Sequence, residues 1–246
     1  LALHGGLRPF AATFTIFSDY LRPALRMSAL NGLSSIFVFT NDSVGVGEDG
    51  PTHQPVEQLA SLRATPGITL LRPCDSNEVL EAWKFALNNR QGPTCIALTR
   101  QPVPILDRSI YAPAHNLHYG GYVLSEAEGG APQALIISTG SEVHIALQAQ
   151  KVLLEQRIPV RVVALPGWSV FDCQPKTYRD AVIPPHIPAR VAIEAGSSLG
   201  WERWVGTGGK VIAVDRFGLG GPWKQVYRAL GITVEAVVEA VLSQLA

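Results

Sequence analysis

Short apolar runs alternate along this chain with stretches whose apolar positions recur at helical spacing. Residues 34–40 (Ser34-Ser35-Ile36-Phe37-Val38-Phe39-Thr40) form a continuous β-branched and aromatic run, the pattern of a strand covered on both faces. Runs at 68–71 and 94–98 repeat it, and between them residues 77–88 carry Val79, Leu80, Trp83, Phe85 and Ala86 at broadly helical intervals. This alternation predicts an α/β domain with a mostly parallel sheet. Pro102, Pro104 and Pro113 then interrupt the periodicity, which is linker composition. A second α/β series follows. It has a strand at Ala134–Ser138 and a helix opened by Gly140-Ser141-Glu142, with Ser141 as N-cap and Val143, Ala146, Leu147, Leu153 and Leu154 along one face. Strands are expected at 160–165, 190–194 and 210–214, and helices at 223–230 and Val234–Leu245. The fold class is therefore α/β, in two α/β domains: residues 1–105, a linker at 106–121, and residues 122–246.

The densest local signal is the acidic, glycine-rich string Gly45-Val46-Gly47-Glu48-Asp49-Gly50-Pro51-Thr52-His53-Gln54-Pro55. Its Gly45-x-Gly47-x-x-Gly50 spacing matches a dinucleotide fingerprint and follows a predicted strand. A pyrophosphate loop, however, needs unencumbered N–H groups running into a helix N-terminus. Glu48 and Asp49 place two negative charges inside this loop, and Pro51 removes a donor. A polyhydroxylated substrate suits it better, since carboxylates accept hydrogen bonds from sugar hydroxyls and glycines allow close approach. Pro55 fits the first helical position before 56–60, which would set His53 at or just before a helix N-terminus. The positive end of that helix would favour a neutral imidazole, able both to donate and to accept a proton. The alternative is a tight loop whose acids and histidine merely cap the backbone.

Composition narrows the class. Of 246 residues, 47% are hydrophobic and only 16% charged, against roughly 25% charged in ordinary soluble domains. Twenty basic and twenty acidic residues balance, with no basic run, so no nucleic-acid partner is expected. No apolar run approaches the roughly 20 residues of a membrane span, so no membrane partner is expected either. Cys74, Cys95 and Cys173 lie far apart and make neither a disulfide framework nor a metal-ligand spacing, and a reducing, cytoplasmic setting is the simplest reading. The chain opens on Leu1-Ala2-Leu3-His4-Gly5-Gly6, which reads as the last turn of a helix with a glycine stop and nothing like a signal peptide. On that pattern it is expected to be a piece of a larger chain.

The full string from Gly45 through Val56-Glu57 resembles the signature of transketolases, thiamine-diphosphate enzymes that move two-carbon ketol units between sugar phosphates. Gly5-Gly6-Leu7-Arg8-Pro9-Phe10, Thr13-Phe14-x-x-Phe17-x-x-Tyr20, Arg72-Pro73-Cys74-Asp75 and Ala97-Leu98-Thr99-Arg100-Gln101 fall in the same order and spacing. Gly120-Gly121-Tyr122-Val123-Leu124, Ser138-Thr139-Gly140-Ser141-Glu142-Val143 and Val191-x-x-Glu194-Ala195-Gly196 are similar to the transketolase carboxy-terminal domain. The resemblance spans essentially the whole chain. It implies a pyrimidine-binding domain, truncated at its amino end, followed by that carboxy-terminal domain.

The resemblance also implies roles. Phe14, Phe17 and Tyr20 correspond to the aromatic pocket against the cofactor's aminopyrimidine, and their i, i+3, i+6 spacing is expected to align them on one helical face. Asp49 corresponds to the acid that bonds a hydroxyl of the donor sugar and helps choose its stereochemistry, His53 to a proton carrier near the reacting carbonyl, and Arg100 to an arginine gripping the sugar phosphate. Asn41 stands where the family usually has histidine; its amide can bond substrate but cannot carry charge or a proton. The cofactor-activating glutamate is implied upstream of Leu1, and the Gly-Asp-Gly segment for diphosphate and Mg²⁺ belongs to an amino-terminal domain. No residue here matches either.

The chain alone is thus expected to be inactive and to need sugar phosphates, thiamine diphosphate, Mg²⁺ and a diphosphate-binding domain or subunit, within a homodimer. The metabolic context implied is either the pentose phosphate pathway or carbon fixation. Other readings are a small subunit of a split transketolase, and a stable fragment or non-catalytic dimerisation or binding module that kept the fold. His115 and His118 read as solvent-facing, Trp201 and Trp204 as helix-packing anchors, and His4, Cys74 and Cys95 as structural. Glu194 ends a strand without an assigned chemistry.

Overall fold

The computed structural model describes residues 1–246. The first sheet contains β1 (Phe10–Phe14), β2 (Ile36–Thr40), β3 (Thr69–Leu71) and β4 (Thr94–Ala97), in the order β1-β2-β4-β3 with every pairing parallel. Parallel neighbours need crossovers. These contain α2 (Ser18–Leu30), α3 (Gln58–Arg63) and α4 (Ser76–Asn88), while α1 (Ala2–Gly5) precedes β1. β4 is buried along its length and β2 along most of it, which explains their unbroken apolar sequences. β1 is an edge strand with Phe10, Ala11 and Ala12 exposed.

The second sheet contains β5 (Tyr122–Ser125), β6 (Ala134–Ser138), β7 (Val160–Ala164), β8 (Arg190–Ile193) and β9 (Lys210–Ile212), ordered β5-β7-β6-β8-β9. Four strands are parallel and β5 lies antiparallel at one edge. α5 (Val143–Glu155), α9 (Trp223–Ala229) and α10 (Val234–Leu245) share a core on one face. The other face is packed by α6 (Trp168–Asp172), α7 (Lys176–Val182) and α8 (Glu202–Val205), with Trp168, Phe171 and Trp204 among their buried residues and Trp201 buried just before α8. The larger core also takes in Val44, Val56, Cys74 and Leu106, so apolar packing runs from one unit into the other.

Three local expectations are corrected. Phe14, Phe17 and Tyr20 do not share a helix: Phe14 ends β1, Phe17 closes a 3₁₀ turn at Thr15–Phe17, and Tyr20 lies in the first turn of α2. α3 begins at Gln58, after a turn through 51–53, so the residue following Pro55 is not yet helical and His53 is no helix-terminal residue. Ser141 caps nothing; it lies in a 3₁₀ turn, Gly140–Glu142, and its hydroxyl donates to the Glu142 carboxylate at 2.7 Å.

Candidate active site

Because β1, β2 and β4 are parallel, their carboxyl ends emerge on one edge, where open α/β sheets bind ligands. Phe14 pairs with Thr40 at that edge, Asn41 follows Thr40, and Arg100 lies three residues past Ala97. The Thr15 hydroxyl donates to the Thr40 carbonyl at 2.9 Å and ties the aromatic turn to β2. Although drawn from three different elements, the rings come together. Phe14 and Phe17 lie 6.0 Å apart and nearly parallel, Phe17 and Tyr20 6.1 Å apart. The His53 imidazole stands edge-on to both phenylalanines, at 5.8 Å from Phe17 and 6.5 Å from Phe14. Tyr20 is 84% exposed and Phe14 37%, so ring surface faces outward at this edge. His53 is half-buried, with Nδ1 3.0 Å from the Thr52 hydroxyl. Asn41 is buried and takes φ +59°, a left-handed backbone that asparagine adopts more readily than most residues.

The acidic loop is gripped from behind. The Ser43 hydroxyl accepts from the Gly45 N–H at 3.1 Å and starts a 3₁₀ turn, Val44–Asp49, that kinks at Gly47 (φ +75°). A Cβ on Gly45 would strike the Gln101 amide, and one on Gly47 would lie 2.9 Å from the Gly221 carbonyl oxygen. These two glycines therefore admit protein. Gln54 Nε2 donates both to the Gly47 carbonyl (2.9 Å) and to the Leu219 carbonyl (2.8 Å), clamping the loop to the second unit. Glu48 and Asp49 remain exposed at the tip, as does Arg100.

A second charged group, which includes Glu194, is sealed beside this edge. Arg72, just past β3, is fully buried. Its Nε donates to Asp42 at 2.7 Å, and its Nη1 donates to Glu142 and, at 2.9 Å, to the Thr139 carbonyl. Glu194 lies 3.5 Å from Arg72, accepts a two-pronged bond from Arg63 at 2.6 and 2.7 Å, and accepts from Trp201 Nε1 at 3.0 Å. The Arg63 guanidinium also stacks on Trp168, 4.0 Å from the ring centroid.

Burial pushes the Asp42 carboxyl above its ordinary range despite Arg72, in keeping with an Oδ1 that has no partner. For Glu194 burial also opposes ionisation, but Arg63, reinforced by Arg72 and Trp201, overcomes it and holds the carboxyl below the usual range. The signal for this group was that Arg72, Glu142 and Glu194 each directly follow or closely trail an apolar strand, where a covering domain can bury them.

Elsewhere, His115 is exposed while His118 bonds Glu81 at 2.9 Å. Trp201 and Trp204 pack in the second unit's core. No group of three or more His, Cys, Asp or Glu is arranged to hold a metal, and no helix is long and apolar enough to cross a membrane. Hollows of about 330 and 340 Å³ lie away from the aromatic edge, one beside Phe85 and Cys173 and the other beside Asp215 and Leu230.

Comparison with known proteins fits this layout. The family described as "Transketolase, pyrimidine binding domain" matches residues 1–105, and "Transketolase-like TK C-terminal domain" matches residues 120–233. Transketolase of Geobacillus stearothermophilus is 51% identical over 238 residues, covering 97% of this chain and 36% of its own length. That of Bacillus subtilis is 47% identical over 241 residues, covering 98% and 36%. The solved transketolase from Leishmania mexicana superposes with a TM-score of 0.90 at 38% identity, over 98% of this chain and 35% of that one. A split-gene transketolase, described as an inactive beta4 tetramer, superposes at 0.78 with 25% identity, over 98% and 76%. The chain belongs to the transketolase family and carries its pyrimidine-binding and carboxy-terminal domains. It spans 36% of the length of the two curated relatives named above.

Proposed function

We propose that this chain supplies the pyrimidine-side half of a transketolase active site, in an enzyme that moves a glycolaldehyde unit from a ketose phosphate to an aldose phosphate. The observation that carries the reading is the His53 imidazole set edge-on against the outward-facing Phe14 ring and the half-buried Phe17 ring, at the strand edge that also bears Asn41 and Arg100. Outward ring surface at the ligand-binding edge fits a flat heteroaromatic group, and Phe14, Phe17 and Tyr20 would hold the thiamine aminopyrimidine there. When bound, thiamine diphosphate would supply the electron sink for cleaving and forming the carbon–carbon bond, its diphosphate and Mg²⁺ being held by another domain.

This chain's residues orient the sugars and move protons. Arg100 meets phosphate oxygens with a two-pronged guanidinium. Asp49, at the tip of a clamped loop, accepts from the donor hydroxyl next to the reacting carbonyl, at C3, and so selects its configuration. The Asn41 amide bonds a sugar hydroxyl without carrying charge. His53 exchanges a proton with the substrate oxygen. The assembly we infer is a cytoplasmic homodimer in which a diphosphate-binding domain faces residues 1–105, with 106–121 as linker and 122–246 as the carboxy-terminal domain.

A second arrangement, with the diphosphate-binding domain on a separate polypeptide, is favoured by the likeness to the split-gene protein. Ketol transfer assayed with this chain alone and with an added diphosphate-binding domain, thiamine diphosphate and Mg²⁺ tests the proposal. Activity is expected only in the mixture. Transfer by the chain alone, or none in a correctly assembled complex, overturns it.

A further inference from the structure

Tyr227, on α9, is buried, and its hydroxyl is saturated with hydrogen bonds. It donates its single proton to Glu142 Oε1 at 2.7 Å. Gln101 Nε2 therefore donates to it at 3.0 Å, and the Ser43 hydroxyl, 3.2 Å away, must donate as well. Ser141 joins the same knot, donating to Glu142 Oε1 at 2.7 Å and accepting from Gln101 Nε2 at 3.1 Å. Since both hydroxyl protons point at Glu142, the Gln101 amide must present its NH₂ side.

The partners on the first unit each lie close in sequence to a position assigned to substrate. Gln101 follows Arg100. Ser43 starts the turn that ends at Asp49 and lies two residues past Asn41. Glu142 in turn bonds Arg72, which bonds Asp42, the residue after Asn41. One phenol in the carboxy-terminal domain thus ties down the side chains of Gln101 and Ser43, which neighbour Arg100, Asn41 and the start of the Asp49 loop.

We propose that Tyr227 is a positioning residue for sugar-phosphate recognition, through which the carboxy-terminal domain sets the reach of Arg100 and of the Asp49 loop. The proposal rests on the reading of Arg100 as the phosphate contact. Removing the hydroxyl should free Gln101 and Ser43 while the ring still fills its place, loosening the substrate residues and leaving the proton-transfer groups alone.

The test uses the holoenzyme, this chain assembled with its diphosphate-binding domain, thiamine diphosphate and Mg²⁺. For Tyr227→Phe, KM for a phosphorylated ketose should rise about tenfold, the size of one or two lost hydrogen bonds, with kcat within about twofold. Preference for the phosphorylated over the unphosphorylated ketose, and calorimetric affinity for inorganic phosphate, should fall by a similar factor. Tyr122→Phe is the control. Tyr122 is also buried and bonded to a buried glutamate, Glu78, outside the site, so its loss should lower the melting temperature while KM stays put.

A Tyr227→Phe enzyme that loses stability alone, with KM unchanged while Arg100→Ala raises it, overturns the proposal and leaves the reading of Arg100 intact. An Arg100→Ala enzyme with unchanged KM removes that reading and the proposal with it. Should Tyr227→Phe fail to fold, Ser141→Ala, which removes Gln101's other acceptor, must raise KM in the same direction by a smaller factor; no rise overturns the proposal.

Discussion

Two groups of polar residues occupy the same level of this molecule, and they have opposite fates. Asn41 and Arg100 follow β2 and β4, and Asp49 tips the next loop; Asp49 and Arg100 end in the open. Arg72 follows β3, and Glu142 and Glu194 trail β6 and β8, yet all three are buried against one another where the second unit closes over the first. Strand-end position brings charge to this edge in both cases. Coverage by the other unit decides whether the charge is available to a ligand or spent on holding the units together. Exposed charges cost little to keep unpaired, whereas buried ones persist only when hydrogen-bonded and neutralised.

The comparison is most exposed to Arg72→Ala. It strands Asp42 and Glu142 without their cation, leaving Glu194 to Arg63 alone, and stability should fall by about 3–5 kcal/mol in urea titration. Arg72→Lys should recover only part of that loss, because an ammonium cannot reach Asp42 and Glu142 as a planar fork does. A fully stable Arg72→Ala protein would erase the distinction between the two groups.

At the open edge the reverse is expected. His53→Ala should leave the urea midpoint nearly in place while lowering holoenzyme kcat by about 10²–10⁴-fold, the usual contribution of a proton-transfer group.

Glu194 sharpens the contrast through pH. Its carboxyl is held low in the folded chain, so its stabilising contribution is complete above the ordinary glutamate value of about 4.3 and is lost as pH falls through the lower folded value. Glu194→Gln should be less stable at pH 7 by about 2 kcal/mol and should lose less on acidification than the parent. Equal urea midpoints for parent and variant across pH 3–7 would count against it.

The smallest effect belongs to Asp49→Ala: stability unchanged, and discrimination between ketose donors epimeric at C3 reduced about tenfold, the scale of one hydrogen bond to a charged group. Unchanged discrimination would remove its assigned role.

Much of this was legible because β2, β4 and β6 are buried strands whose sequences are continuous apolar runs. β1 was not, because an exposed edge strand of Phe10-Ala11-Ala12-Thr13-Phe14 carries no such run and its ring spacing imitates a helix. Pro55 misplaced the start of α3 because a proline suits the turn before Gln58 as well as a first helical position. The aromatic, loop and arginine residues of the candidate site could be named from motif resemblance. The pairing within the buried group could not be: Arg63 and Glu194 are 131 residues apart, and Arg72 and Glu142 are 70 apart. Nothing local in either segment announces the other. The same holds for Gln101 and Tyr227, separated by 126 residues.

The Gln54 clamp, with one amide grasping carbonyls on both sides of the seam, has a consequence for anyone re-engineering donor preference. Grafting a longer or shorter acidic loop from another member would dislocate residues 219–223 along with it. Tolerated variation should therefore concentrate at the two tip carboxylates, and any change in loop length should arrive with a compensating change some 170 residues downstream.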